Sequence, residues 1–295
     1  MRYDLDTLRL FVLVVEHGSI SAASEPGNVV TSAISRRLSE LENAVGVALL
    51  RRKSRGVEPT AAGLTVYKHA KAILGQLRQM DCDISEHHAG VSGSVRVWVN
   101  MTALCYYLPP QLNTFMAQYP GVSVELVEKL SDSIAHAVKA GEADLGICAP
   151  SDSVPGVSEA NYVTDQLVLI VPRAHKFAQR KRIAFEETLD EKHIMMQSGA
   201  SIHTMSQAAA QVLDRRIQQS VLVTNFEAMR NMVAEGLGIA LIPEIALKGV
   251  DNSRFCVVRL ADKWCVRKFK ILWNEHLPQS PAAARLLKHL QSDGE

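Results

Sequence analysis

Between Ser21 and Val45 the apolar positions predict two short helices joined by a turn. Val30, Ile34, Leu38, Leu41 and Val45 recur every three or four residues and form a stripe for burial. Thr31, Ser32, Ser35, Arg36 and Ser39 occupy the opposite side of that second helix. Gly27 and Asn28 mark the turn before it, and Ser21 is placed to N-cap the helix that precedes the turn. Short hydroxyl side chains beside a guanidinium suit a helix laid in the major groove of DNA, where the backbone must come close. The same alternation also describes an ordinary amphipathic helix with a solvated face, so the rest of the chain decides.

Upstream, residues 5–17 predict a helix with Leu5, Leu8, Phe11, Val12 and Val15 on its inner side. Downstream, VALLRRKSRGVEPT predicts a two-stranded wing whose basic tip runs from Lys53 to Gly56. From Thr60 to His88 nothing stops a helix except mild penalties at Gly63 and Gly75. Along it Val66, Ala70, Ile73, Leu77, Met80 and Ile84 fall in a heptad seam. At ~1.5 Å per residue this is a rod of roughly 43 Å. Beside so small a domain, it is expected to pair with the same helix of a second subunit. Such pairing sets two DNA-reading helices about one duplex turn (~34 Å) apart.

His87 to Ser94 is a linker, and after it the pattern changes to strands alternating with helices. Strands are predicted at 94–99, 122–127, 143–148, 167–171, 220–223, 239–242 and 268–273. Helices are predicted at 109–119, 133–140, 203–214, 226–235 and 281–291. This is an α/β region of about 200 residues, large enough to bury its own core.

The net charge of +1 looks unsuited to a nucleic-acid partner, but its distribution is not. From Arg36 to Arg78 nine Lys or Arg stand against three acids, whereas from Val91 onward 21 bases balance 21 acids. Phosphate binding needs such a local excess and tolerates a neutral remainder. The five cysteines are scattered without a CxxC pair or metal-ligand spacing, so they read as reduced residues with neither metal nor disulfide. The acids directly before the first apolar run do not resemble a secretory signal, and a cytoplasmic location is expected.

With LDTLRLFVLVVEHGSISAAS, TSAISRRLSELENAVGVALLRR and RGVEPTAAG, and with GEADLGI at 141–147 and EGLGIALIP at 235–243, the chain resembles the LysR-type transcriptional regulators over essentially its full length. The resemblance implies an α/β protein with an N-terminal winged helix-turn-helix, a long linker helix, and a two-subdomain effector domain like a type 2 periplasmic binding protein. The implied domains are 1–59, 60–89 and 90–295. The last divides into subdomain I (about 90–163 and 267–295) and subdomain II (about 164–266). Carried over by position, Thr31, Ser32, Ser35, Arg36 and Arg37 would face DNA and Arg55 would be the wing contact. Promoter DNA, a small-molecule effector, a homodimer or homotetramer and RNA polymerase are the implied partners. Pro26 and Gly27 depart from the family pattern within the second helix, which predicts that this helix is short or distorted.

In the cleft, ligands are held where strands end and helices begin. Thr102, Ser198, Ser201 and Asn225 are the expected effector contacts, and the expected ligand carries a carboxylate. Each also suits an N-cap or a turn, which stays open as the alternative. No basic side chain is evident beside Thr102. The resemblance implies that a peroxide-sensing member would carry reactive cysteines in the middle of this domain; the stretch MQSGASIHTM at 196–205 contains none, which argues against redox sensing. No GxSxG, HExxH or phosphate-binding glycine loop supports an enzyme, and no cofactor is expected. A solute-binding protein for transport would leave residues 1–90 without a purpose. An architectural DNA-binding protein would make the cleft superfluous.

Overall fold

The computed structural model describes residues 3–53, 56–89, 92–150 and 152–292. They form two compact units, one of residues 1–88 with 140–142 and one of 89–139 with 143–295.

In the N-terminal unit, helix α1 (Leu5–His17) starts where the Asp4 carboxylate accepts from Thr7 N at 3.1 Å, and it stops at Gly18 in the left-handed region. It buries two sides rather than one. Leu10, Phe11 and Val14 meet Ile34, Leu38, Leu41 and Leu49, while Leu8 and Val12 meet Ala70. Leu5, expected inside, is exposed because it is the first helical residue and lies beyond both contacts.

Helix α2 is a single turn, Ser24–Gly27, followed by Asn28 in the left-handed region and helix α3 (Thr31–Val45). The short second helix was predicted, but its start was not. Buried Ala23, not Ser21, precedes it, so Pro26 falls in the first turn, where a helix needs no amide hydrogen. The cost of an interior proline is thereby avoided. Gly27 is equally well placed, since a Cβ there would lie 3.0 Å from Leu10 Cδ2. Val30, expected in the buried stripe, is the N-cap residue of α3 and 67% exposed. The stripe is carried by Ile34, Leu38 and Leu41.

Strands β1 (Leu50–Arg52) and β2 (Val57–Pro59) form the antiparallel wing, with Arg51 opposite Glu58. The Glu42 carboxylate accepts from the amides of Leu49 and Leu50 at 2.6 and 2.9 Å, tying the wing to α3. Helix α4 (Ala61–Ala89) starts where Thr60 Oγ1 accepts from Gly63 N at 3.0 Å. The front of its heptad seam is already used, because Val66 and Ala70 pack on α1. Ile73 and Met80 remain exposed; the side chain of Ile84 lies outside the described residues.

The C-terminal unit begins with β3 (Gly93–Val99), a π-helical turn at Ala103–Tyr107, α5 (Leu108–Gln118), β4 (Val122–Glu128), α6 (Ser131–Lys139) and β5 (Leu145–Cys148). Next come β6 (Val157–Pro172), β7 (Arg182–Ile183), β8 (Lys192–Met196), α7 (Ser201–Val212), β9 (Gln218–Val223), α8 (Phe226–Ala234), β10 (Ile239–Pro243) and β11 (Phe255–Leu260). The chain ends with β12 (Val266–Asn274) and α9 (Pro281–Ser292). Strand β6 organises the unit. From Val157 to Gln166 it pairs with β12, and from Leu167 to Pro172 it pairs with β10 and β11. Each half therefore has its own sheet and its own core, one around Val97, Phe115 and Ile271 and one around Leu169, Phe185 and Met229. The apolar pattern predicts only the second half of β6; β7, β8, β11 and the π-helical turn are additional to the predicted elements.

Candidate DNA-reading face and effector cavity

Thr31 and Ser32 are exposed on the first turn of α3, with half-buried Ser35 and exposed Arg36 a turn further on. Val30 offers no capping side chain, so among the described residues no side chain of the cap satisfies the first-turn amides, although the Val30 carbonyl accepts from Ala33 N at 3.0 Å. A helix end of this kind attracts phosphate. Among the described residues Arg36 is restrained only by Glu40, 3.4 Å away on the same exposed face. Arg37 is committed elsewhere, donating from Nη1 to Asp4 Oδ2 at 2.9 Å and so joining α3 to the start of α1. The Asp4 carboxyl is held below the usual carboxylate range, first by the Thr7 hydroxyl and then by the Thr7 amide.

Arg55 lies outside the described residues. On the wing itself, Arg51 and Lys53 both pair with Glu58. Its carboxyl sits below the ordinary range, chiefly through the hydrogen bond from Lys53. The basic wing is therefore partly neutralised from within, a role for Glu58 that the charge count did not anticipate.

In the C-terminal unit, a cavity of about 40 Å³ opens between the end of β3 and the start of α7. Thr102, almost fully buried, and Ser201, 6% exposed, both line it, so two of the four expected effector residues come together. Ser198 is exposed in the turn before α7, where Gln197 takes the lining position instead. Asn225 is also exposed. Its Oδ1 accepts from Ala228 N at 2.8 Å and caps α8, so the alternative reading of that residue is the one observed. Asn100 and Ser131 also line it; Asn100 Nδ2 donates to Ser131 Oγ at 3.2 Å while Asn100 Oδ1 accepts from Ala103 N. Pro150 and Asp152 border a second, open hollow of about 470 Å³, which Arg267 also lines.

The residue that the sequence reading missed is Arg267, in the wall of the Thr102 cavity. Its side chain is 1% exposed. One terminal nitrogen pairs with Asp165 and Nη1 donates to Ser201 Oγ at 3.2 Å, while the guanidinium stacks 5.0 Å from the Phe269 ring. Nε is buried with no partner among the described residues. Burial pushes the guanidinium pKa down, and Asp165 opposes that shift. Burial, then the Asp165 charge, raises the Tyr107 phenol well above its usual range, so it stays protonated. The signal was present in the sequence. Arg267, Phe269 and Ile271 alternate on one face of a strand, which sends a cation inward.

A winged helix-turn-helix followed by a two-lobed domain with a polar cavity defines a ligand-responsive DNA-binding protein. The family model described as "Bacterial regulatory helix-turn-helix protein, lysR family" matches residues 5–64, and "LysR substrate binding domain" matches residues 88–295. The chain belongs to the LysR family. It is a DNA-binding transcriptional regulator with an effector-binding domain, and not an enzyme. Among its relatives is the uncharacterized HTH-type transcriptional regulator YbhD of Escherichia coli, 24% identical over 99% of this chain and 93% of its own length. Full-length CbnR, solved with its target DNA, has 20% identity and a TM-score of 0.72 over 98% of this chain and 99% of its own. The regulatory domain of CcmR from Synechocystis, solved with 2-PG, has 22% identity and a TM-score of 0.64 over 69% of this chain and 98% of its own. These two structures share the fold. No helix among the described residues is long and apolar enough to cross a membrane.

Proposed function

We propose that Thr31, Ser32, Ser35 and Arg36 read double-stranded promoter DNA, and that a small carboxylate held between Thr102 and Ser201 modulates that binding. The uncapped first turn of α3, with hydroxyls and a nearly free guanidinium on its outer side, carries the first half. The meeting of Thr102 and Ser201 in one polar cavity carries the second. Under this reading residues 1–59 bind DNA with Arg55 on the wing, residues 60–89 pair two or four copies, and residues 90–295 sense the ligand. Arg37 positions α3 through Asp4. RNA polymerase is the natural further partner of a regulator working in the cytoplasm.

Fluorescence anisotropy with the upstream intergenic duplex, over a series of salt concentrations, tests the first half. Replacing Arg36 by Ala is expected to weaken binding and to lower the slope of log K against log salt by about one. An unchanged slope and affinity would remove Arg36 from the interface.

A further inference from the structure

The chain passes between the two lobes along β6 and just before β12, and Asp165 and Arg267 face each other at that passage. Two residues beyond Asp165, at Leu167, β6 leaves β12 and pairs with β10. Each end of the ion pair is tied to a different lobe. The Tyr107 phenol, on the turn that follows β3, hydrogen-bonds the Asp165 carboxylate. Ser201, on the helix that follows β8, accepts from Arg267 Nη1 at 3.2 Å. Phe269 sits at a register shift in β12, where it stacks 5.0 Å from the guanidinium and 5.9 Å from the Tyr107 ring. Arg267 also lines both the hollow beside Thr102 and the one beside Pro150, and each hollow has residues of α7 in its wall. The series Tyr107–Asp165–Arg267–Ser201 therefore bridges a gap that is otherwise largely unfilled.

We infer that these four side chains form an interlobe latch, which holds the lobes in the arrangement seen here and whose release lets α7 and its lobe swing away and alters DNA affinity. The inference goes beyond the effector reading, because the latch works without any ligand. Rotation about Gln166 and Leu167 lengthens the Ser201 contact and leaves the ion pair, whose strands stay in register, intact. It also admits water to Arg267 Nε, which is buried here with no partner among the described residues. The loss is one hydrogen bond to a charged group and the gain is the solvation of one stranded donor, two effects of similar size. The two arrangements are therefore close enough in free energy for a small bias to move the population.

Double electron–electron resonance on the full-length chain reads the lobe separation, with spin labels carried by unnatural amino acids at exposed Asn113 of α5 and Gln211 of α7. Dilution with unlabelled chain removes distances between copies. Tyr107→Phe keeps the ring against Phe269 and removes only the phenol hydrogen bond. It is expected to raise the share of a second, longer distance about tenfold, as is Ser201→Ala, in line with loss of one hydrogen bond to a charged group. Both variants should keep a urea midpoint near that of the parent, and fluorescence anisotropy with the upstream duplex and no ligand should show their DNA affinity shifted in the same direction. Distances unchanged in both variants overturn the latch. So does a longer distance in Ser201→Ala alone, since the serine would then act on α7 without the ion pair. A longer distance in both with DNA affinity unchanged overturns the link to regulation. None of these outcomes depends on which ligand the cavity takes.

Discussion

Arg267 and Asp165 lie opposite one another in register on β12 and β6, so their ion pair spans the two strands just where β6 passes from one sheet to the other. Tyr107, at the end of the π-helical turn, adds its phenol to the same carboxylate. Ser201, at the start of α7, takes the other side of the guanidinium. One buried charge pair thus connects four elements drawn from both lobes. A buried pair of this kind adds little over a well-packed apolar pair, yet breaking it strands a charge.

Replacing Asp165 by Ala is therefore expected to destabilise the C-terminal unit by about 3–5 kcal/mol. Pairing Asp165→Asn with Arg267→Gln should cost far less. Trp98, Trp264 and Trp273 all lie in this unit, so urea unfolding followed by tryptophan fluorescence reports it directly. Equal losses in the single and double variants would show that the pair matters for its packing and not for its charge.

His193 provides a pH dependence whose sign follows from burial. Its ring is 2% exposed and donates from Nε2 to the Thr188 carbonyl at 2.9 Å, with Phe185 packed edge-on against it. Burial disfavours the charged ring and lowers its pKa, so the folded chain stays unprotonated at a pH where the unfolded chain takes up a proton. Stability from this residue is complete above the unfolded imidazole value near ~6.5 and falls as pH drops below it, by at most about 1.4 kcal/mol per pH unit. The difference in urea midpoint between the parent and His193→Gln, measured at pH 7.5 and 5.5, isolates that slope. Parallel midpoints at both values would show that His193 charges freely in the fold.

Gly63 shows where reading the sequence alone misleads. In a helical pattern it is a mild liability, and Ala should improve the helix by about 1 kcal/mol. In the fold, a Cβ at Gly63 would stand 2.0 Å from the Leu49 carbonyl oxygen, which already accepts from Thr60 N at 2.9 Å. Neither backbone can yield without opening the junction between the wing and α4. Gly63→Ala is expected to destabilise the N-terminal unit by about 1–3 kcal/mol. Hydrogen exchange of the α1 and α3 amides measures it, and slower exchange in the variant would contradict the close approach.

The same contrast runs through the whole molecule. Elements with one solvated face were legible, because burial on one side leaves a period in the sequence: α3, α4, β3 and most of the C-terminal helices fell within a few residues of their observed ends. The first half of β6 was not, since Ser158, Glu159, Asn161 and Thr164 give it the look of a loop while β12 fixes it as strand. At the candidate site, Thr102 and Ser201 were found from their places after a strand and before a helix. Arg267 was missed because it is remote in sequence, and only the pairing of β12 with β6 brings it there. Asn225 shows the converse, a residue well chosen for a ligand that its own helix uses instead.

The outer side of α4 carries the prediction for assembly. Val66 and Ala70 turn inward to α1, but Ile73 and Met80, seven residues apart, are 40% and 50% exposed and lie on one side of the helix. Large apolar side chains at heptad spacing on a helix of 29 residues suit a second copy of the same helix. Introducing a carboxylate there should separate the copies without touching either folded unit. Ile73→Glu and Met80→Glu are each expected to shift the sedimentation coefficient to that of a smaller species and to weaken DNA binding. The urea midpoint reported by the tryptophans should not move. Sedimentation identical to the parent in both variants would show that this side of α4 does not hold a second copy.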